Sequence, residues 1–190
     1  MQKVIASISI SLDGFLAGPG ISVNDPMGER GEELHKWMFV TKTRMDEKLL
    51  KTIFDNTGAV IAGGHTYKTA IPKAWGNANP FAVPVYVVTH EMPQEKVSGF
   101  TYITEGIEKA FSDAKVTAGA KNVLIMGGAD IVQQYLNAGL VDELNIQLVD
   151  IFLGRGTRLF DNINADKIKL EQIACIASTG VTHLKYKVLK

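Results

Sequence analysis

Short apolar runs alternate along the chain with stretches of helical periodicity. Residues 4–10 are rich in β-branched side chains and end near the turn-forming pair Asp13-Gly14, which predicts a buried strand. Further apolar runs predict strands at residues 59–62, 83–89, 102–103 and 123–126. Apolar positions at helical spacing predict helices that begin at Glu32 and that cover residues 46–56, 105–117 and 130–137. This alternation is typical of a mostly parallel sheet with helices on both faces.

The pattern changes after Gly139. Residues 143–152 and 168–189 are strand-like and have no long helix between them, which predicts antiparallel pairing at one edge of the sheet. Residues 18–31 contain too many Gly, Pro and Asn residues for a regular element and predict a mobile loop. We therefore expect an α/β fold with a central, mainly parallel sheet that finishes in antiparallel strands.

Composition limits the class of protein. Of 190 residues 46% are hydrophobic, and no repeat or linker interrupts them, so we expect one domain over residues 1–190. Twenty basic side chains balance 20 acidic ones without a basic cluster, which argues against a nucleic-acid partner. No apolar run approaches the roughly 18 residues of a membrane span, so we expect no membrane association. A single cysteine, Cys175, excludes an intramolecular disulfide and a multi-cysteine zinc site; we expect a cytoplasmic protein without a metal centre.

Two glycine pairs stand between a strand and a helical segment. Gly63-Gly64 and Gly127-Gly128 would let a ligand approach the backbone closely, and a following helix N-terminus offers free N–H groups to a phosphate. Each pair alone is equally typical of a plain tight turn. Because ligands of open α/β sheets bind at the carboxyl ends of the strands, two such turns predict one crevice suited to a dinucleotide.

The first strand carries serines at alternate positions and ends near an acid. Ser7, Ser9 and Ser11 place hydroxyl groups on one face of the strand. Asp13 follows, where a carboxylate binds an amino or ring N–H group or helps to deliver a proton. The local pattern alone favours a simpler interpretation, a turn residue that accepts backbone hydrogen bonds.

Five motifs then occur in a familiar order. They are the segments at residues 11–17, 63–67, 87–90 and 126–130, and the pair 139–144 with 153–160. With these motifs the chain resembles, over essentially its whole length, the bacterial dihydrofolate reductase-like proteins related to the reductase domain of the riboflavin-biosynthesis deaminase/reductase. The resemblance implies a three-layer dihydrofolate reductase-like fold. It also implies NADPH as cofactor and hydride transfer to a small heterocycle, either an aminouracil-ribosyl riboflavin precursor, as in a 5-amino-6-(5-phosphoribosylamino)uracil reductase, or a pterin-like compound.

The resemblance also assigns the cofactor residues. It places the pyrophosphate at Gly127 and Gly128, and the nicotinamide near Ala6, Asp13 and Gln147. The other implied contacts are Met126, Ala129, Asp130 and Ile131 around the pyrophosphate, and Gly63, Gly64, His65, Thr66, Tyr67, Thr89 and His90 toward the adenosine phosphates. A carboxylate repels phosphate, so we expect Asp130 to point away from it.

One position departs from the family pattern. Relatives commonly have Arg where this chain has His65, and the guanidinium fork is the better clamp for the 2′-phosphate of NADPH. His65, His90 and Lys68 can together supply positive charge, and the choice between NADPH and NADH stays open. We expect His35 and His183 to be solvated loop residues.

The substrate side offers two acids. The Pro-Trp pair that precedes the acid of dihydrofolate reductases is absent, so the resemblance favours Asp13 as the catalytic acid, with Gln147 between substrate and nicotinamide. Asp46 is the alternative, although an acid at a helix N-terminus is commonly structural. Ser9, Trp37 and Phe39 are predicted to bind the flat substrate.

Other interpretations remain open. The loop at residues 18–31 is a plausible lid over the hydride transfer. A nucleotide-binding or regulatory module without turnover, or a carrier of a flat heterocycle, would share the same motifs. Relatives are often two-fold dimers, and the C-terminal sheet edge is a reasonable interface for a homodimer.

Overall fold

A computed structural model describes residues 1–189 as ten strands and five α-helices. The strands are β1 (Val4–Ser11), β2 (Phe15–Ala17), β3 (Thr57–Gly63), β4 (Val85–Val88), β5 (Phe100–Ile103), β6 (Asn122–Gly127), β7 (Glu143–Val149), β8 (Thr157–Arg158), β9 (Lys169–Ser178) and β10 (Val181–Leu189). The helices are α1 (Lys36–Phe39), α2 (Arg44–Asp55), α3 (Gly64–Ala70), α4 (Ile107–Ala118) and α5 (Ala129–Asn137), with 3₁₀ helices at Gly31–His35 and Ala165–Lys167.

Eight strands form the central sheet, in the order β5-β4-β3-β6-β1-β7-β10-β9. The six strands from β5 to β7 are parallel, and β10 and β9 are antiparallel, which confirms the predicted fold class. The predicted antiparallel pairing at this edge is confirmed by β7 and β10, and β7 also pairs in parallel with β1 on its other side. The parallel pair follows from α5, which gives the chain a crossover between β6 and β7.

Helices cover both faces of this sheet. On one face Val4, Ala6 and Ile8 of β1 pack in a core with residues of α4 and α5. On the other face α1, α2 and α3 pack against the sheet in two smaller cores. Because side chains alternate along a strand, Ser7, Ser9 and Ser11 belong to this second face, and Ser9 is the one predicted to bind substrate.

A buried polar cluster joins α2 to β10. Thr43 and Asp46 form a capping box at the start of α2, and Asp46 is completely buried. Its carboxylate also accepts a hydrogen bond from Ser178 at 2.9 Å and lies 2.8 Å from Nε2 of His183. The prediction that His183 is a solvated loop residue is therefore wrong: it lies on β10 at 9% exposure.

The same prediction is wrong for His35. This residue ends the 3₁₀ helix Gly31–His35 and is half-buried. Burial lowers its pKa, because the charged form loses solvation. His35 therefore belongs to the helical segment that begins near Glu32, and packing of that segment buries part of its ring.

The segment at residues 18–31 is closed by its own backbone hydrogen bonds. Gly18 N–H donates to Met27 O, and Glu29 N–H donates to Pro19 O, each at 2.9 Å. Glu29 also pairs with Arg155 at 2.8 Å. The loop is thus folded back on itself beside the 153–156 turn, and its role as a lid stays a prediction.

Within residues 1–189 we find no helix that is both long and apolar enough to cross a membrane.

Candidate active site

The two glycine turns lie side by side at the carboxyl edge of the sheet. Strands β3 and β6 are parallel neighbours, so both turns emerge at the same edge. A Cβ atom added to Gly128 would lie 3.1 Å from Oγ1 of Thr66, and one added to Gly63 would lie 3.6 Å from Cβ of Ile131. The Gly63-Gly64 turn thus contacts the start of α5, and the Gly127-Gly128 turn contacts the start of α3.

Helix α5 presents an uncapped N-terminus to this edge. Gly128 is its N-cap and supplies no side chain, so the first N–H groups of the helix have no partner within it. Gly127 has φ +124°, a conformation that favours glycine, and the peptide bond between the two glycines is cis. Asp130 is exposed and accepts a hydrogen bond from Gln134 at 2.7 Å, along the helix surface. The geometry suits an anion at the turn.

Of the residues predicted for the adenosine end, most lie at or near the Gly63-Gly64 turn, whereas Tyr67 is buried in the core. A Cβ atom on Gly64 would lie 2.9 Å from Thr89, so these two residues are in close contact. His65 and His90, which directly follow Gly64 and Thr89 in the sequence, are exposed. Tyr67 is different: it is 5% exposed, its hydroxyl lies 2.7 Å from that of Tyr102, and burial and this contact raise its pKa. Tyr67 therefore positions α3 from the core.

A polar row crosses three strands beside these turns. Gln147 of β7 is paired in register with Ser9 of β1 and with His183 of β10. Its Nε2 donates to Oγ of Ser7 at 3.2 Å. Sequence reasoning did not include Ser7 or His183 in the site, although the alternate serines of β1 were a usable signal for Ser7.

Trp37 packs over this row. Its Nε1 donates to Oγ of Ser9 at 3.1 Å, and its ring meets the His183 ring edge-on with centroids 5.0 Å apart. Phe39, two residues later, is 77% exposed. The structure therefore does not bring Trp37 and Phe39 together around one flat ligand.

The side chain of Ala6 does not face the polar row. It is fully buried in the core under α4 and α5, on the face opposite to Ser9 and Gln147. Met126 is half-buried and packs with the core under α3. Ile131 and Ala129 are buried and support the opening of α5.

The carboxylate of Asp13 is engaged by its own turn. It accepts hydrogen bonds from Oγ of Ser11 at 2.5 Å, from Leu153 N–H at 3.1 Å and from Gly154 N–H at 2.7 Å. Desolvation raises the pKa of Asp13, but these three bonds together lower it below the usual range. Asp13 is thus ionised at neutral pH and fixes the 153–154 turn against β1, while its catalytic role stays a prediction.

Asp46 is also ionised. Burial raises its pKa, but hydrogen bonds from Thr43, His183 and Ser178 outweigh that effect and lower the pKa below the usual range. Asp46 connects to the polar row only through His183.

The strand order and the helices on both faces define a dihydrofolate reductase-like α/β domain. The chain belongs to the RibD C-terminal domain family, whose model matches residues 2–184. The uncharacterized protein YwjB of Bacillus subtilis (strain 168) is 25% identical over 172 residues, which is 90% of each chain.

Two solved structures share the fold. A putative riboflavin biosynthesis protein from Shewanella sp. PV-4 superposes with a TM-score of 0.76 over 100% of both chains, at 20% identity. Dihydrofolate reductase from Enterococcus faecalis, in complex with NADP(H) and RAB-propyl, superposes with a TM-score of 0.62 at 15% identity, over 100% of this chain and 99% of the other.

Proposed function

We propose that this protein is an NADPH-dependent reductase of a small heterocyclic substrate. The observation that carries the proposal is the meeting of two glycine turns at one sheet edge, with the uncapped N-terminus of α5 between them. Membership of the RibD C-terminal domain family supports the same class of activity.

The close approach of the two turns supports dinucleotide binding. Gly127 and Gly128 would hold the pyrophosphate against the free N–H groups of α5. Gly64, His65 and Thr89 would face the adenosine end. NADPH supplies a hydride when it is bound, so the protein has to orient the substrate and exclude water.

The side chains of the polar row would form hydrogen bonds with the substrate. Gln147, at 6% exposure, offers an amide that can both donate and accept hydrogen bonds, and Ser7 and Ser9 add hydroxyl groups. Such groups match the ring nitrogens and exocyclic groups of a pyrimidine or a pterin. Asp13 would act from the edge of this row by orienting the turn at residues 153–154.

A second candidate is a nucleotide-binding module without turnover. It is favoured by one observation: both candidate acids, Asp13 and Asp46, are ionised and fully engaged in hydrogen bonds. Neither holds a proton at neutral pH that a reduction could use.

One assay separates these candidates. We expect the protein to oxidise NADPH in the presence of an aminouracil riboside or a dihydropterin, and Gln147→Leu to lower kcat/KM about tenfold or more by removing one substrate hydrogen bond. Gln172→Leu, the same change at an exposed position of β9, serves as the control. NADPH binding without oxidation by any of these substrates would favour the module.

The position of His65 predicts a change in cofactor preference. We expect His65→Arg to tighten NADPH binding about tenfold and to leave NADH binding unchanged, because guanidinium binds phosphate in a bidentate manner. Thr101→Arg adds the same charge at an exposed site on β5 and controls for net charge. Equal effects of His65→Arg on both cofactors would place the 2′-phosphate elsewhere.

The free edge of the sheet predicts a homodimer. Strand β9 is the last strand, and it exposes Leu170 by 44% and Ile173 by 46%. An apolar strand with unpaired backbone groups favours pairing with a second copy. We expect a dimer in sedimentation and a monomer for Ile173→Lys, with Val116→Lys, at 82% exposure on α4, as the matched control. A monomeric wild-type protein would contradict the proposed dimer through β9.

A further inference from the structure

A cavity of about 420 Å³ lies at the opposite edge of the sheet from the glycine turns. Its lining includes Thr57, Asn122 and Glu143, which begin β3, β6 and β7. Thr52 and Asn56, at the end of α2, form another side. Because the glycine turns follow the carboxyl ends of these parallel strands, this cavity is separate from the proposed cofactor crevice.

Charged groups are fixed in the cavity wall. The side chain of Glu143 is 4% exposed and forms ion pairs with Lys3 through Oε1 and with Lys185 through Oε2, the latter at 2.9 Å. The two lysine side chains remain 48% and 41% exposed, so each ammonium, which has three donors, keeps donors for a ligand besides its ion pair with Glu143. The trio carries one net positive charge, and Lys121 adds a second at the cavity edge.

Glu143 stays ionised in this position. Burial raises its pKa, but the two lysines lower it below the usual range. The carboxylate therefore holds both ammonium groups in place at neutral pH, with donors left for a ligand.

Asn145 supplies the second observation. It lies two residues beyond Glu143 on the same face of β7, lines the cavity and is 8% exposed. Within residues 1–189 its Oδ1 is buried and has no hydrogen-bond partner. A buried carbonyl without a donor is unfavourable, so a ligand that brings a donor gains affinity by binding here.

Part of the wall is apolar. Ile5 of β1, Ile53 of α2 and Leu124 of β6 line the same cavity. They would contact a flat or aliphatic part of a ligand that lies between the lysine ammonium groups and the amide of Asn145.

We propose that this cavity binds a small organic anion that carries an N–H or O–H donor. Its carboxylate or phosphate would be held by Lys3 and Lys185, its apolar body would rest on Ile5, Ile53 and Leu124, and its donor would satisfy Asn145. The site is independent of the proposed cofactor crevice.

The wild-type protein gives the first test. Backbone amide resonances are followed in NMR while 4-hydroxybenzoate, benzoate or phenyl phosphate is added. We expect 4-hydroxybenzoate to shift residues around Asn145, Glu143 and Asn56, and not the turns at Gly64 and Gly127. Benzoate, which lacks the donor, should bind about tenfold more weakly. Stronger binding of phenyl phosphate than of benzoate would assign the anion subsite to phosphates, and the reverse would assign it to carboxylates.

Variants give the second test. Lys185→Met should weaken binding of 4-hydroxybenzoate about tenfold, while Lys167→Met, exposed and outside the cavity, should not change it. If Lys185→Met does not fold, Asn145→Leu replaces it and should bind 4-hydroxybenzoate and benzoate equally. No shift by any probe at about 10 mM, shifts at the glycine turns only, or unchanged binding in folded Lys185→Met would overturn the proposal.

Discussion

We expect Gly127→Ala to weaken NADPH binding by about tenfold to a hundredfold. Gly127 has φ +124°, and a residue with a side chain is strained there by about 1–3 kcal/mol. The added Cβ would lie 3.5 Å from Cδ1 of Ile8, an ordinary contact, so steric overlap is not the reason. The turn can relieve its backbone strain by moving, and that movement takes the N-terminal N–H groups of α5 away from the pyrophosphate.

The same helix offers a matched control. Gly139 follows α5 at its other end, has φ +68° and would place a Cβ with nothing within 4 Å. Gly139→Ala therefore tests backbone strain alone: it should lower the free energy of unfolding without changing NADPH affinity. Fluorescence titration of both variants measures the difference. Wild-type affinity in Gly127→Ala would show that the pyrophosphate does not bind at this turn.

The largest loss of stability is expected for Asp46→Ala. Asp46 is completely buried, and its removal leaves His183, Ser178 and Thr43 without their shared acceptor. Leaving a buried hydrogen-bonding group without its partner costs about 1–3 kcal/mol, and three groups lose their partner here. Urea denaturation measures this free energy of unfolding.

Asp55→Ala is the control on the same helix. Asp55 pairs with Lys51 at 2.7 Å on the protein surface, where an ion pair contributes little. If both variants lost equal stability, the cluster around Asp46 would not be what anchors α2 to β10.

The Asp46 cluster also predicts a pH dependence. The folded-state pKa of Asp46 lies below its ordinary value, so its contribution to stability is complete at neutral pH. That contribution is lost as the pH falls below about 4 and the carboxylate is protonated. Asp46→Ala should therefore show a shallower loss of stability with acid than the wild type.

The sequence predicts the parts of this protein that depend on local chemistry. The strands that end at Gly63 and Gly127, and the helices after them, follow from apolar runs and glycine pairs that short-range sterics dictate. Their meeting in one crevice follows from the rule that ligands bind at the carboxyl ends of parallel strands.

The parts that depend on distant pairing were missed. His183 and Asp46 are 137 residues apart, and no local pattern indicates their hydrogen bond. Trp37 and Phe39 are close in sequence, but only packing decides that the first is 3% exposed and the second 77%. In the sequence Asn145 is a single polar residue within a strand. Only the folded structure shows that its side-chain carbonyl lacks a hydrogen-bond partner and that it lines the cavity.

The most direct test of the central claim is a titration of the purified wild-type protein with NADPH and, separately, NADH, observed by energy transfer from Trp37 and Trp75 to the reduced nicotinamide. We predict saturable binding of NADPH that Gly127→Ala weakens and Gly139→Ala does not. If neither dinucleotide binds, the paired glycine turns are only tight turns, and the reductase proposal is contradicted.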